Sequence, residues 1–211
     1  MADLKRTPLY DLHQELGARM VSFAWWELPV QYPSGILTEH QWCREHAALI
    51  DVSHMGQVTV RGPDAAAAFE KLVPGNIEGL GPGQARYTLF TNDEGGILDD
   101  LIVSNAGDHL FVVVNAACRE QDVEHMREWL EPKGLTVTEH ADRALLALQG
   151  PEAATALARL APECGSLRFM TGAEMAVDGI PARVSRTGYT GEDGFEISVP
   201  AEHAEALARK L

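Results

Sequence analysis

Leu145-Leu146-Ala147-Leu148-Gln149-Gly150-Pro151-Glu152-Ala153-Ala154, running on to Leu160 and Pro162, repeats an earlier segment of the chain, Gln57-Val58-Thr59-Val60-Arg61-Gly62-Pro63-Asp64-Ala65-Ala66, which runs on to Leu72 and Pro74. Gly, Pro, an acid, two Ala, Leu and a second Pro fall at the same offsets in both. Each copy reads as a strand followed by a helix, with Pro at the first helical position, an acid in the first turn and the next Pro beyond the end. Two strand-helix units of one design predict an α+β protein of two related lobes, residues 1–52 plus 141–211 and residues 53–140. A cleft between such lobes is the natural ligand site. Around these units, Thr7 to Leu16 reads as a helix stopped at Gly17. Ala116 to Leu130 reads as another, with Val123, Met126 and Leu130 on one face. Tyr87 to Phe90 pairs with Ile97 to Ser104 across the Asn92–Gly96 turn, Asn105–Asp108 leads into His109 to Val114, and Glu174 to Ser185 forms a hairpin about Asp178-Gly179. Successive hairpins imply mainly antiparallel sheets.

Two acidic motifs stand out against this frame. Gly188-Tyr189-Thr190-Gly191-Glu192-Asp193-Gly194-Phe195-Glu196 packs three glycines and three carboxylates ahead of the strand-like Ile197-Ser198-Val199. It reads as a binding loop or as an acidic hairpin. A carboxylate such as Glu196 can accept two hydrogen bonds from an amino-substituted heterocycle, and Tyr189 offers a flat face. The second motif is Gly95-Gly96-Ile97-Leu98-Asp99-Asp100-Leu101-Ile102-Val103, a turn and a strand carrying two adjacent acids. Alternation puts Asp99 with Ile97, Leu101 and Val103, and Asp100 with Leu98 and Ile102. With both faces apolar, at least one carboxylate must be hydrogen-bonded or shift its pKa, as a catalytic acid or as a paired structural one. Tyr87 and Asn115, at ends of the flanking strands, can supply an aromatic wall and an amide contact.

Composition sets limits. The chain has 211 residues, 45% hydrophobic, enough for a packed core. Its 17 basic and 31 acidic residues give a net charge of −14, unlike the basic footprint of a nucleic-acid binder. No apolar run is long enough to span a membrane, and Met1 to Arg6 lacks the apolar stretch of a secretory signal, so a cytoplasmic protein is expected. Cys43, Cys118 and Cys164 are far apart and the eight histidines lack ligand spacing, so no metal is expected. Ser104 and Ser198 lack a His-Asp setting, no Gly-rich phosphate or dinucleotide loop is present, and His54 reads as mainly structural.

Six segments in order resemble the glycine cleavage aminomethyltransferase (T-protein) family: Arg6 to His13, Leu28-Pro29-Val30-Gln31-Tyr32, Asp51-Val52-Ser53-His54-Met55, Gly95 to Leu101, Leu148 to Pro151, and Gly188 to Glu196. The resemblance implies transfer of an aminomethyl group from the lipoyl arm of the carrier H-protein to tetrahydrofolate, releasing ammonia and forming 5,10-methylenetetrahydrofolate. It implies Asp100 as the catalytic carboxylate and Glu196 as the pterin anchor, with Met55, Tyr87, Tyr189 and Asn115 lining the folate site. Alternatives within the same fold are a folate-dependent demethylase or the folate domain of a larger flavin-linked dimethylglycine- or sarcosine-oxidising enzyme; a third, of another class, is a folate-binding module without turnover. Two departures are visible. Trp25 stands where the family usually has Gly, so local packing there is expected to differ. The chain also stops at Leu211, short of the family's Arg-containing segment and C-terminal β domain, so it reads as a fragment poorly active alone.

Overall fold

The computed structural model describes residues 4–211, so Met1–Asp3 of the N-terminal reading lie outside the described residues. It divides into two compact units. The first comprises the segment ending at His54 together with Asp142–Phe169 and Ala173–Leu211; the second comprises Met55–Ala141 and Met170–Gly172. The first unit opens with β1 (Lys5–Arg6), α1 (Tyr10–Glu15), β2 (Arg19–Phe23), β3 (Trp26–Gln31), α2 (Ile36–Glu45) and β4 (Ala48–Asp51). The second follows with β5 (Gly56–Arg61), α3 (Ala65–Phe69), β6 (Ala85–Thr91), β7 (Ile97–Asn105), β8 (Leu110–Val114), α4 (Arg119–Leu130) and β9 (Thr136–Glu139). The chain then rejoins the first with β10 (Arg143–Gln149), α5 (Ala153–Ala158), β11 (Thr171–Val177), β12 (Ile180–Arg186), β13 (Gly194–Pro200) and α6 (Ala204–Ala208).

Each unit is built on one five-stranded sheet, and the two sheets share one plan. The order is β6-β7-β8-β5-β9 in the second unit and β11-β12-β13-β10-β4 in the first, so the two repeated strands, β5 and β10, occupy the same place. Only the last edge differs. In the second unit it is β9, which follows the repeat, and in the first it is β4, which precedes it; both pair antiparallel with the repeated strand. A small sheet, β1-β3-β2, completes the first unit, and its β1/β3 pair is parallel. In each unit one face of the five-stranded sheet is sealed by helices. Leu12, Leu157 and Leu207 pack with Leu146, Phe195 and Ile197, while Phe69, Met126 and Leu130 pack with Val58, Phe90 and Val112.

The expected helices form with shifted ends. Pro63 and Pro151 stand just ahead of the capping residues Asp64 and Glu152, not at the first helical position. The glycine before each proline explains why. Gly62 and Gly150 hold φ of 138° and 123°, turning the chain out of the strand before a helix can start. A Cβ on Gly150 would strike the His46 carbonyl oxygen and come within 2.6 Å of that of Cys43. Gly150→Ala should therefore lower stability by about 2–4 kcal/mol in denaturant unfolding, since backbone must move to relieve it. The first expected helix is confined to Tyr10–Glu15 and ends before Gly17 at φ 74°; α4 starts at Arg119, three residues late. Asp178 and Gly179, both at positive φ, make the β11–β12 turn.

Trp25 corrects the packing expectation. It sits in the β2–β3 turn at φ 67°, beside Ala24 at φ 47°, and its side chain is 74% exposed. The core does not accommodate the indole at all; the cost of losing Gly is backbone strain. Trp25→Gly should accordingly stabilise the protein by about 1 kcal/mol, read as a rise in Tm.

Candidate functional site

The acidic pair on β7 is displaced from simple alternation by a bulge. Phe90 on β6 pairs with Asp99, but Thr91 pairs with Ile97, leaving Leu98 as the extra residue. Leu98 packs into the core while Ile97 is exposed, the reverse of the expected sidedness. Beyond the bulge alternation holds. Asp99 shares the core side with Phe90, Leu101 and Val103, and Asp100 shares the other side with Leu89, Tyr87 and Ile102. Tyr87 lies within β6, opposite Ile102, rather than at its end.

Hydrogen bonding separates the two acids. Asp99 accepts from the Asn115 backbone N–H (3.4 Å) and from Asn115 Nδ2 (3.1 Å), and the Cys118 thiol and the Asp122 carboxyl stand within hydrogen-bonding reach of the same group. Its lone pairs are occupied by partners fixed in the fold. Asp100 Oδ1 accepts from Asn115 Nδ2 at 2.7 Å, and the Tyr87 hydroxyl hydrogen-bonds the same carboxylate from an exposed position. Asp100 is thus held in place on the side away from the core. Met55 precedes Gly56, which pairs with Val114, so Met55 and Asn115 lie at the same end of the β5/β8 pair. Both fall in the second unit with Asp100 and Tyr87.

Asp122 was not legible as a site residue. It lies in the first turn of α4, 1% exposed, and burial together with Asp99 and Asp100 pushes its pKa up to about 8. The helix N-terminus acts the other way, but by only about 0.3–1 kcal/mol, less than one pKa unit. Burial and like charge win.

Glu196 is on β13 of the first unit. Phe195, Ile197 and Val199 enter the core, so Glu196 and Ser198 point to the opposite side. Glu196 is 4% exposed, and burial raises its pKa while hydrogen bonds from Thr187 (3.0 Å) and Ser185 (3.4 Å), both to Oε2, pull it down. The other acids of its loop are spent on arginines. Asp193 takes a two-pronged bond from Arg186 (2.7 and 2.5 Å), which holds its carboxyl below the usual range, and Glu192 pairs with Arg44 at 2.6 Å. Among the described residues, only Glu196 of the three lacks a cation. The loop rests on fully buried Gln149, whose Oε1 accepts from the Thr190 N–H at 3.2 Å and whose side chain fills the space a Cβ on Gly194 would need. Tyr189 is exposed on the same loop.

Three of the six matching segments meet elsewhere in the first unit. His13 Nε2 lies 2.9 Å from Asp51 Oδ2, and His13 Nδ1 lies 2.8 Å from the Tyr32 hydroxyl. Burial and the Asp51 charge push the Tyr32 pKa up to about 12. Tyr32 and Asp51 border a cavity of about 750 Å³ with Val30, Trp42 and Leu49, and none of the six expected site residues lines it. No metal-binding cluster and no helix long and apolar enough to cross a membrane occur among the described residues.

Residues 9–211 match the family described as the GCVT N-terminal domain. The human mitochondrial aminomethyltransferase is 50% identical over 215 residues, covering 99% of this chain and 53% of the human protein. That of Dictyostelium discoideum is 44% identical over 215 residues, covering 98% and 53%. The crystal structure of the glycine cleavage system aminomethyltransferase T from Bartonella henselae superimposes with a TM-score of 0.90 at 40% identity, covering 98% of this chain and 56% of that one. The chain spans about half the length of the curated relatives it matches. A chain of heterotetrameric sarcosine oxidase from Corynebacterium sp. U-96 matches with a TM-score of 0.64 at 18% identity, covering 98% and 92%, a likeness of fold alone. The relatives' names overturn the cytoplasmic expectation, because the human, Dictyostelium and Solanum tuberosum proteins are all mitochondrial. An organelle-import segment is Arg- and Ser-rich and distinct from the fold, so neither a missing apolar run nor overall composition reports the compartment. By coverage, identity and backbone agreement together, this chain belongs to the glycine cleavage aminomethyltransferase family, through its GCVT N-terminal domain.

Proposed function

We propose that the protein carrying this chain transfers an aminomethyl group from a lipoyl thioether on the glycine cleavage H-protein to tetrahydrofolate. The observation that carries this reading is Asp100, an anchored carboxylate turned away from the core beside a neighbour whose own acceptors are all engaged. In the balanced reaction the carbon–sulfur and carbon–nitrogen bonds of the aminomethyl group break and two bonds to folate nitrogens form. The two folate N–H protons end on the lipoyl sulfur and on ammonia, and no redox change occurs. Asp100 would orient the attacking amine and stabilise the positive charge developing on the aminomethyl carbon. Glu196 would accept N–H bonds from the pterin amino group and ring, with Tyr189, Met55, Tyr87 and Asn115 as further folate contacts. Proximity of carrier arm and folate would supply much of the rate.

The test is a coupled assay of the full-length protein with lipoylated carrier, tetrahydrofolate and ammonia detection. Equal ammonia and methylenetetrahydrofolate are expected; ammonia release without a folate product would reject the reading. A second result tests the anchor. Burial raises the Glu196 pKa in the free protein, and N–H donors favour the carboxylate, so folate binding should release protons and tighten as pH rises. Calorimetry in buffers of different ionisation enthalpy measures this, and zero proton release would count against Glu196.

A further inference from the structure

We infer that Asp122 is a positioning residue for the reaction proposed above: its carboxyl donates a hydrogen bond to Asp99, and this leaves the Asn115 amide free to hold Asp100. Two carboxyl groups can share a hydrogen bond only when one carries the proton. The Asp122 carboxyl stands within hydrogen-bonding reach of Asp99, and Asp122 is buried, 1% exposed, with its Oδ2 unpartnered among the described residues. The proton therefore belongs on Asp122, while Asp99 accepts from Asn115 and Cys118 as well.

The consequence follows from counting hydrogens. Asn115 Nδ2 has two, and three acceptors lie within reach: Asp99 Oδ1 at 3.1 Å, the Asp100 carbonyl at 3.0 Å and Asp100 Oδ1 at 2.7 Å. While Asp122 donates to Asp99, the amide can be spent on Asp100. Once Asp122 ionises, Asp99 loses that donor and gains a like charge, and it competes for the amide. Asp100 is then released from its shortest bond.

The charged surroundings reinforce the arrangement. From β7, Asp99 and Asp100 both disfavour ionisation of Asp122, and the Cys118 thiol lies at the helix start. From the same helix, Arg119 is engaged by Glu139 of β9 at 2.6 Å, and burial lowers the His125 pKa. No positive group is among the causes acting on Asp122.

The inference rests on the aminomethyl-transfer reading, so its test has one arm that needs no turnover. Infrared difference spectra of the full-length protein between pH 6 and pH 10 should show a buried carboxylic acid band lost with a midpoint near pH 8, absent in Asp122→Asn. The second arm is the turnover profile. Wild type should fall about tenfold from pH 7 to pH 9, whereas Asp122→Asn, whose amide donates at every pH, should change less than twofold. Asp122→Leu, which cannot donate, should run at least tenfold below Asp122→Asn at pH 7. An identical alkaline fall in wild type and Asp122→Asn, or equal rates for the Asn and Leu variants, overturns the positioning role. No protonated carboxyl at pH 6 overturns the shared proton itself. Absence of any folate product in the wild type rejects the transfer reading instead, while the infrared arm still decides who holds the proton.

Discussion

Asn in place of Asp100 should cut aminomethyl transfer by about 100-fold to 10,000-fold in the full-length protein, the range typical for loss of a positioned acid-base group. Asn preserves the shape and keeps one oxygen for Asn115 and Tyr87, so folate affinity should change little. Asp99→Asn should behave differently. Asp99 serves as acceptor for Asn115, Cys118 and Asp122, so weakening it should lower stability by about 1–3 kcal/mol and turnover by less than about tenfold. Kinetics and urea unfolding on the two variants decide the matter. Equal losses of turnover would sink the assignment of roles, because the bond pattern gives only Asp100 an orientation away from the core.

Glu196→Ala should weaken tetrahydrofolate binding by about 100-fold or more, equivalent to about 2.8 kcal/mol or above at 1.4 kcal/mol per factor of ten. The reason is asymmetry: truncation leaves two ligand N–H donors without an acceptor at a position where Glu196 is only 4% exposed. Glu196→Gln should recover part of the loss, since its oxygen still accepts while its amide opposes a donor. Glu192→Ala is the control, because its carboxylate is paired with Arg44. Unchanged affinity in Glu196→Ala on titration would send the anchor elsewhere. A drop in Glu192→Ala as large as that in Glu196→Ala would show that loop order, not the buried carboxylate, sets affinity.

Parts of this architecture could be read directly from neighbouring residues. The echo around Gly62-Pro63 and Gly150-Pro151 revealed two units of one plan because a strand, a positive-φ glycine and a helix start depend on residues only a few positions apart. Phe195, Ile197 and Val199 alternate with Glu196 and Ser198, a period-two pattern that the structure resolves into a core side and the side that carries Glu196. The same rule misled at Ile97-Leu98, where a bulge inserts one residue and exchanges the faces. Propensity cannot register that extra residue, because it is defined only against β6. Nor did periodicity separate Glu192 and Asp193 from Glu196; arginines from α2 and β12 do so.

What the sequence by itself determined is local: two strand-helix repeats, antiparallel hairpins, turns placed by glycine, and the presence of two acidic motifs. Tertiary structure alone decided which strand closes each sheet, β9 after one repeat and β4 before the other, because edge pairing compares segments distant in the chain. It alone joined His13, Tyr32 and Asp51 from three separate segments. It also alone brought Asp122 to Asp99. On an amphipathic helix that aspartate reads as part of a solvated face, and only the burial of Val123, Met126 and Leu130 against the sheet turns it inward. Side chains meet across a fold through the sum of many apolar contacts, and no short window of sequence contains that sum.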